Sequence, residues 1–171
     1  MTPPSDMIEN EVEPIVERVV EDAIAAHGAL PGGLLPVLHA IHDALGFLPP
    51  GAVPRIAQAL TLSQAEVHGV ISFYHDFRSA PPGRHVLKLC RAEACQAMGA
   101  TALAERVTAR LGVTWGATSP DGALTIESVY CLGNCALAPA LQLDGRLRGR
   151  ITADTLDHVI DACRRDAARP A

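Results

Sequence analysis

Two short cysteine pairs, Cys90-Arg91-Ala92-Glu93-Ala94-Cys95 and Cys131-Leu132-Gly133-Asn134-Cys135, are separated by the 35 residues 96–130. A fold that uses the four thiols together must bring two distant loops to one point. Two irons bridged by two sulfides need two thiolates each, and this spacing offers one pair to each iron. A zinc ion with four cysteine ligands is the main alternative, although the Cys-x3-Cys half departs from the usual knuckle spacings. Free or disulfide-bonded cysteines are the third.

The compartment bears on that choice. The chain opens Met-Thr-Pro-Pro-Ser-Asp and turns acidic, unlike a basic, apolar signal peptide. The most apolar stretch, Leu34 to Val53, is interrupted by His39, His42 and Asp43, so no membrane insertion is expected. A cytoplasmic protein is expected, and in a reducing cytosol spaced cysteines are metal ligands more often than disulfides. The 49% apolar content excludes a largely disordered chain. The net charge of −5 argues against nonspecific nucleic-acid binding. Residues 1–30 hold seven acidic residues and only Arg18, a net −6, which leaves the remainder at +1.

The first 80 residues read as helices. Ile8, Val12, Ile15, Val16, Val19 and Ala23 form a helical stripe opposite Glu9, Glu13, Glu17 and Glu21, ended by Gly28 and Pro31. A second helix carries Leu34, Leu38, Ile41 and Leu45 and closes at Gly46. A third carries Val53, Ile56 and Leu60. A fourth opens on the capping-box pattern Ser63-Gln64-Ala65-Glu66 and continues through Val67, Val70 and Ile71. The pattern predicts a small helical bundle over 1–80. Ser79-Ala80-Pro81-Pro82-Gly83 then marks a boundary.

Beyond it, residues 85–90 read as a buried strand ending on Cys90, and 97–111 as a helix with Leu103, Val107 and Leu111 on one side. Thr125 to Tyr130 is a second run, ending at Cys131. Asp121-Gly122 and Asp144-Gly145 are turn signals. A strict two-residue turn at the second would set Leu143 opposite Arg146 and mix the faces, which favours a longer loop or a bulge there. A last helix, 153–167, carries Leu156, Val159, Ile160 and Cys163. The expected fold class is α/β, with the four thiols in the second part. Gly133 suits a tight loop between Cys131 and Cys135, and amides in such loops can donate to cluster sulfurs and raise the reduction potential.

The stretch Glu66-Val67-His68-Gly69-Val70-Ile71-Ser72-Phe73-Tyr74, then Pro82-Gly83-Arg84-His85 and both cysteine pairs, resembles the thioredoxin-like [2Fe–2S] subunits of NAD-linked oxidoreductases. The type is that of the small flavoprotein-partner subunit of respiratory complex I and its hydrogenase equivalents. The runs His75-Asp76-Phe77-Arg78 and Cys90 to Gly99 resemble most the gamma subunit of soluble, molybdenum-containing NAD-dependent formate dehydrogenase. The likeness spans about Leu34 to Asp161. It implies that Cys90, Cys95, Cys131 and Cys135 ligate a [2Fe–2S] cluster and that 84–168 is a thioredoxin-like ferredoxin domain behind a docking helical bundle. It also implies a non-catalytic electron-transfer subunit partnered by a flavin- and NAD-binding subunit and a large molybdenum subunit. A zinc-stapled interaction module and a free-standing shuttle are the competing readings.

Other residues carry weaker signals. Cys163 lies on an apolar helix face and reads as structural. His39 and His42 lack a third ligand at matching spacing, and His68 and His75 flank Phe73 and Tyr74, where they could pack or meet a partner. Arg146, Arg148 and Arg150 would share one face of a strand, either as a charged edge or as a docking patch for an acidic surface on a flavin-binding partner. Trp115, the single tryptophan, has no assigned role. The sequence holds no glycine-rich phosphate loop, so neither NAD nor flavin is expected to bind this chain by itself.

Overall fold

The computed structural model describes the backbone of residues 5–167 and the side chains of 14–166. Ile8, Glu9, Val12 and Glu13 of the N-terminal stripe, and residue 168 at the end of the expected second domain, lie outside those limits. The chain divides into two compact units, Met1–Pro81 and Pro82–Ala171. Among the described residues no helix is long and apolar enough to cross a membrane.

The first unit is four helices: α1 (Ser5–His27), α2 (Leu34–Leu45), α3 (Val53–Leu60) and α4 (Gln64–Phe73). α1 packs on α2 and α3, and α4 packs on the same two. Val20 and Ala23 of α1, Val37, Leu38 and Ile41 of α2, Ile56 of α3 and Val67 of α4 meet in one core. The helix ends follow local chemistry. Gly46 takes φ 78° and donates its N–H to the His42 carbonyl at the end of α2, a conformation that costs a residue without a Cβ little. The Ser63 hydroxyl accepts from the Glu66 N–H at 3.2 Å while the Glu66 carboxylate accepts from the Ser63 N–H at 2.8 Å, a complete capping box. Past α4, Phe77 is buried and sets its ring against His39 and His42, at centroid distances of 5.0 and 5.7 Å. The two histidines thus belong to an aromatic cluster.

The second unit runs β1 (His85–Cys90), α5 (Glu93–Ala97), α6 (Ala100–Leu111), β2 (Leu124–Val129), β3 (Leu141–Leu143), β4 (Arg146–Arg148) and α7 (Ala153–Ala167). The sheet order is β2-β1-β3-β4, with β1 parallel to β2 and antiparallel to β3, and β3 antiparallel to β4. A parallel pair needs a long crossover, which α5 and α6 supply. Leu87, Leu89, Leu124, Ile126 and Leu141 of the sheet share one core with Leu103, Val107 and Leu111 of α6 and Leu156, Val159 and Ile160 of α7. Arg106–Asp157 and Arg110–Asp161 ion pairs join the exposed sides of α6 and α7. The expected α/β fold, helices first and sheet after, is the one observed.

Three local expectations need correction. The helix expected over 97–111 begins only at Ala100, because Gly99 stands before it at φ 94°, where no helix continues, and Ala97 ends the separate short α5. Cys95, expected in a loop, lies inside the short α5. The β3–β4 connection is the strict two-residue turn that the sequence disfavoured, with Leu143 paired directly to Arg146. Asp144 and Gly145 both take positive φ, 49° and 78°, as expected of a turn whose twist matches the strands it joins. Asp144 is further held by the Val86 N–H at 2.8 Å and His85 Nδ1 at 2.7 Å. His85 Nε2 approaches Asp166 at 3.3 Å without hydrogen-bond geometry, so only the first contact counts as a tie.

The two edges of the sheet differ. Residues 116–119 cover β2 through Gly116 N–H to Ile126 O (2.8 Å), Ile126 N–H to Ala117 O (3.2 Å) and Ser119 N–H to Leu124 O (2.9 Å). Among the described residues no strand pairs with the outer edge of β4.

His42 makes the helical unit sensitive to acid. Burial, followed by the charge of Arg78, lowers its pKa below the ordinary value, and its Nε2 is buried without a partner. A folded pKa below the unfolded value of about 6.5 means that stability is held above that pH and lost as pH falls through the folded pKa. The urea midpoint of helix loss should be lower at pH 5 than at pH 7.5, and His42→Phe should flatten that difference. An unchanged pH dependence in the variant would remove His42 from this role.

Candidate metal centre

Both cysteine loops leave the carboxyl ends of the parallel pair. Cys90 is the last residue of β1 and stands in register with Val129, the last of β2. The Arg91 N–H donates to the Val129 carbonyl at 2.7 Å, which holds the exits of the two strands side by side. Open α/β sheets place their ligands at this end. From β1 the chain enters α5, which carries Cys95. From β2 it passes Tyr130 to Cys131, and Cys135 begins a short 3-10 turn, Cys135–Leu137.

The four thiols stand two and two. Cys131 and Cys135 place their sulfurs 3.8 Å apart, and the Cys90 and Cys95 thiols are close enough to shift each other's pKa in opposite directions. The first-loop pair is buried, the second exposed. Among the described residues no three His, Cys, Asp or Glu side chains close around a single ion. Two pairs, one from each loop, can supply the two thiolates that each iron of a two-iron cluster takes.

Backbone amides point at the sulfurs. Gly133, at φ 72°, lets its N–H reach Cys131 Sγ at 3.4 Å. Burial works to raise the Cys90 thiol, but the Ala92 N–H, the Cys95 thiol and the Leu132 and Cys131 N–H groups together hold it below the ordinary thiol range. Burial and the bond to Cys90 push Cys95 up, against the Ala140 N–H. The bond to Cys131, and then its charge, push Cys135 up. Two of the donors to Cys90 come from the other cysteine loop, so the pairs form one site. Oriented N–H groups favour the thiolate form that a metal centre takes, while burial opposes it.

A family model of the thioredoxin-like [2Fe-2S] ferredoxin matches residues 20–164. The chain belongs to the thioredoxin-like [2Fe–2S] ferredoxin family. A [2Fe–2S] cluster is the cofactor of this family, and the two thiol pairs here suit it. The ferredoxin is 34% identical over 117 residues to a subunit of the NADH-quinone oxidoreductase of Pseudomonas aeruginosa, covering 68% of this chain and 70% of that one. It is 30% identical over 129 residues to the HndA subunit of the NADP-reducing hydrogenase of Solidesulfovibrio fructosivorans, covering 75% of each. Among solved structures, an air-oxidized NAD+-reducing [NiFe]-hydrogenase matches with a TM-score of 0.65 and 28% identity. That match covers 78% of the ferredoxin and 23% of the hydrogenase chain.

Other residues singled out in the sequence fall elsewhere. Cys163 is buried in the helix–sheet core, where burial pushes its thiol up to about 11; it behaves as a small apolar side chain. His68 and His75 are exposed. Two features had no sequence signal. Trp115 packs against the core and carries the Arg91 guanidinium 5.4 Å from its ring centroid, which fixes the residue after Cys90. Gly149, after β4, touches the second cysteine loop: a Cβ there would lie 2.6 Å from Leu137 Cβ, 2.7 Å from Leu137 O and 2.8 Å from Asn134 Nδ2. The next residue, Arg150, donates its N–H to Leu137 O at 2.6 Å.

Serine at Cys90, Cys95, Cys131 or Cys135 should lose or alter the iron signal of anaerobically prepared protein, while Cys163→Ser should leave it intact. Iron and sulfide analysis with EPR of the reduced protein reads the outcome, and loss in the Cys163 variant alone would overturn the assignment. Gly149→Ala should push the 134–137 turn outward at an overpacking cost of about 1–3 kcal/mol and change the EPR g-values. Gly145→Ala, strained at φ 78° but with open space around its Cβ position, should leave the g-values alone.

Proposed function

We propose that Cys90, Cys95, Cys131 and Cys135 ligate the [2Fe–2S] cluster and that the chain is an electron-transfer subunit of an NAD-linked complex, exchanging electrons with the flavin of a partner subunit. The observation that carries this reading is the pair of dithiol loops joined at the carboxyl ends of β1 and β2. When bound, a cluster of this type supplies one-electron chemistry near about −400 mV. The residues of the chain do the rest. The cysteines hold the irons, and the amides of Ala92, Leu132, Cys131, Ala140 and Gly133 face the sulfurs and offset negative charge. Ala100, Ala138 and Ala140, with Cys90 and Cys95, form a small apolar cluster that keeps water from the inner pair.

Residues 1–80 serve docking in this reading, and 84–168 form the ferredoxin domain. The exposed Phe73 and Tyr74 at the end of α4, 74% and 42% accessible, support an assembly role for the helices. The parent complex is taken to be a molybdenum-containing NAD-dependent formate dehydrogenase, on the strength of the runs His75 to Arg78 and Cys90 to Gly99. The relatives favour a second reading, in which the parent is a quinone-reducing NADH oxidoreductase or an NAD(P)-linked hydrogenase.

The cluster-loaded chain alone should neither oxidise formate nor reduce NAD, and NADH should reduce it only when the flavin- and NAD-binding partner is added. Anaerobic visible and EPR spectroscopy follows this directly, and stoichiometric reduction by NADH without flavin would contradict the reading. Co-purification decides the parent: a large molybdenum subunit supports formate dehydrogenase, and quinone-module or nickel–iron subunits support the others.

A further inference from the structure

The outer edge of β4 and the second cysteine loop form one continuous surface of unusual composition. No charged side chain occurs from Val129 to Leu143, the stretch that holds Cys131 and Cys135. Within it Tyr130 is 73% exposed and Leu137 39% exposed, one and two residues from a cysteine. The loop is joined to the end of β4 by the close approach of Gly149 to Leu137, by Arg150 N–H to Leu137 O at 2.6 Å and by Ile151 N–H to Pro139 O at 3.0 Å. Arg146, Leu147 and Arg148 of β4 are exposed, and so is Arg150, which stands beyond the strand at φ 54° and so does not continue the strand face expected of the three arginines; none of the three is in an ion pair among the described residues.

Two physical arguments separate this edge from an ordinary solvated one. A lone edge strand needs one or two charges to discourage pairing, whereas three arginines within five residues repel one another and carry no carboxylate partner here. In a chain of net charge −5, they also form a positive field beside an uncharged, apolar loop. Partner faces of mixed character place the apolar contact at the centre and the charges at the rim, where they steer encounter.

We propose that the Tyr130–Leu137 loop and the arginine edge of β4 are one docking face, and that its occupant is a redox subunit with an apolar contact patch bordered by carboxylates. This deepens the electron-transfer reading of the preceding subsection and rests on it. A loop without charged side chains lets the partner lie against the exposed cysteine pair without burying one, and Arg146, Arg148 and Arg150 set its approach and register. The opposite edge of the sheet is closed by residues 116–119, which leaves β4 as the strand edge open to a neighbour.

The test uses the full, cluster-loaded chain and the flavoprotein that co-purifies with it. Arg146→Glu with Arg148→Glu should slow association by about tenfold or more at low salt and flatten its dependence on ionic strength, while iron content and the EPR spectrum of the chain stay unchanged. Arg165→Glu, the same charge reversal at an exposed site on α7, should change association less than twofold. Tyr130→Ala should speed dissociation rather than slow association. Wild-type binding and salt slope in the double variant would overturn the docking face while leaving the electron-transfer reading intact. So would equal damage from Arg165→Glu, or sedimentation showing that the face joins two copies of this chain. A cluster-loaded wild-type chain that takes no electrons from any co-purifying flavoprotein would overturn both.

Discussion

The parallel pairing of β1 with β2 is the constraint on which the site depends. Because the two strands run the same way and end level, at Cys90 and Val129, the loops that follow leave the sheet at one end. An antiparallel pair in this position would send the cysteine loops to opposite ends of the sheet, some 20 Å apart for six-residue strands. The crossover that parallel pairing requires explains why the cysteine pairs lie 35 residues apart in sequence: α5, α6 and the segment covering β2 all lie between. Burial of Leu87, Leu89, Leu124 and Ile126 beneath α6 and α7 fixes the strand register. A slip of one residue would turn Cys90 to the other face.

Cluster chemistry asks for two opposed properties, and the loops divide them. Cys90 and Cys95 are buried in a small alanine-lined pocket, while Cys131 and Cys135 face outward. In the proposed reading this asymmetric placement would shield one side of the cluster and leave the other for a partner. The amides that face Cys90 come from both loops, so the loops stabilise each other's geometry as well as the charge on sulfur. Gly149 and Arg150 extend this support from β4, which ties the outer edge of the sheet to the cysteine loop.

Much of the fold was legible in the sequence because it follows local rules. Helical periodicity located α1 to α4, Gly46 and the Ser63/Glu66 box marked their ends, and the apolar run in 85–90 located β1. Misreadings arose where a single backbone conformation decided the outcome. Gly99 starts α6 at Ala100, later than the periodicity suggested. The Asp144-Gly145 turn mixes faces without penalty because Arg146 and Arg148 are solvent-exposed, so the polarity argument against a two-residue turn had no force. Neither the stacking of Arg91 on Trp115 nor the contact of Gly149 with Leu137 carried any sequence signal, since both join residues with no periodic or spacing relation.

The sequence by itself determined the class of chemistry. Four thiols in two short pairs, Gly133 between the second pair, and an apolar fifth cysteine on a helix face are properties of residue type and spacing. Tertiary structure alone decided which thiols are sheltered and which are presented, which amides face which sulfur, and which sheet edge stays open. Those outcomes depend on strand order, register and close approach between distant segments, and they are set by packing the β1–β2 pair under two helices. Spacing names the ligands a metal could use, but only the packed sheet settles where they meet and which side of them a partner can reach.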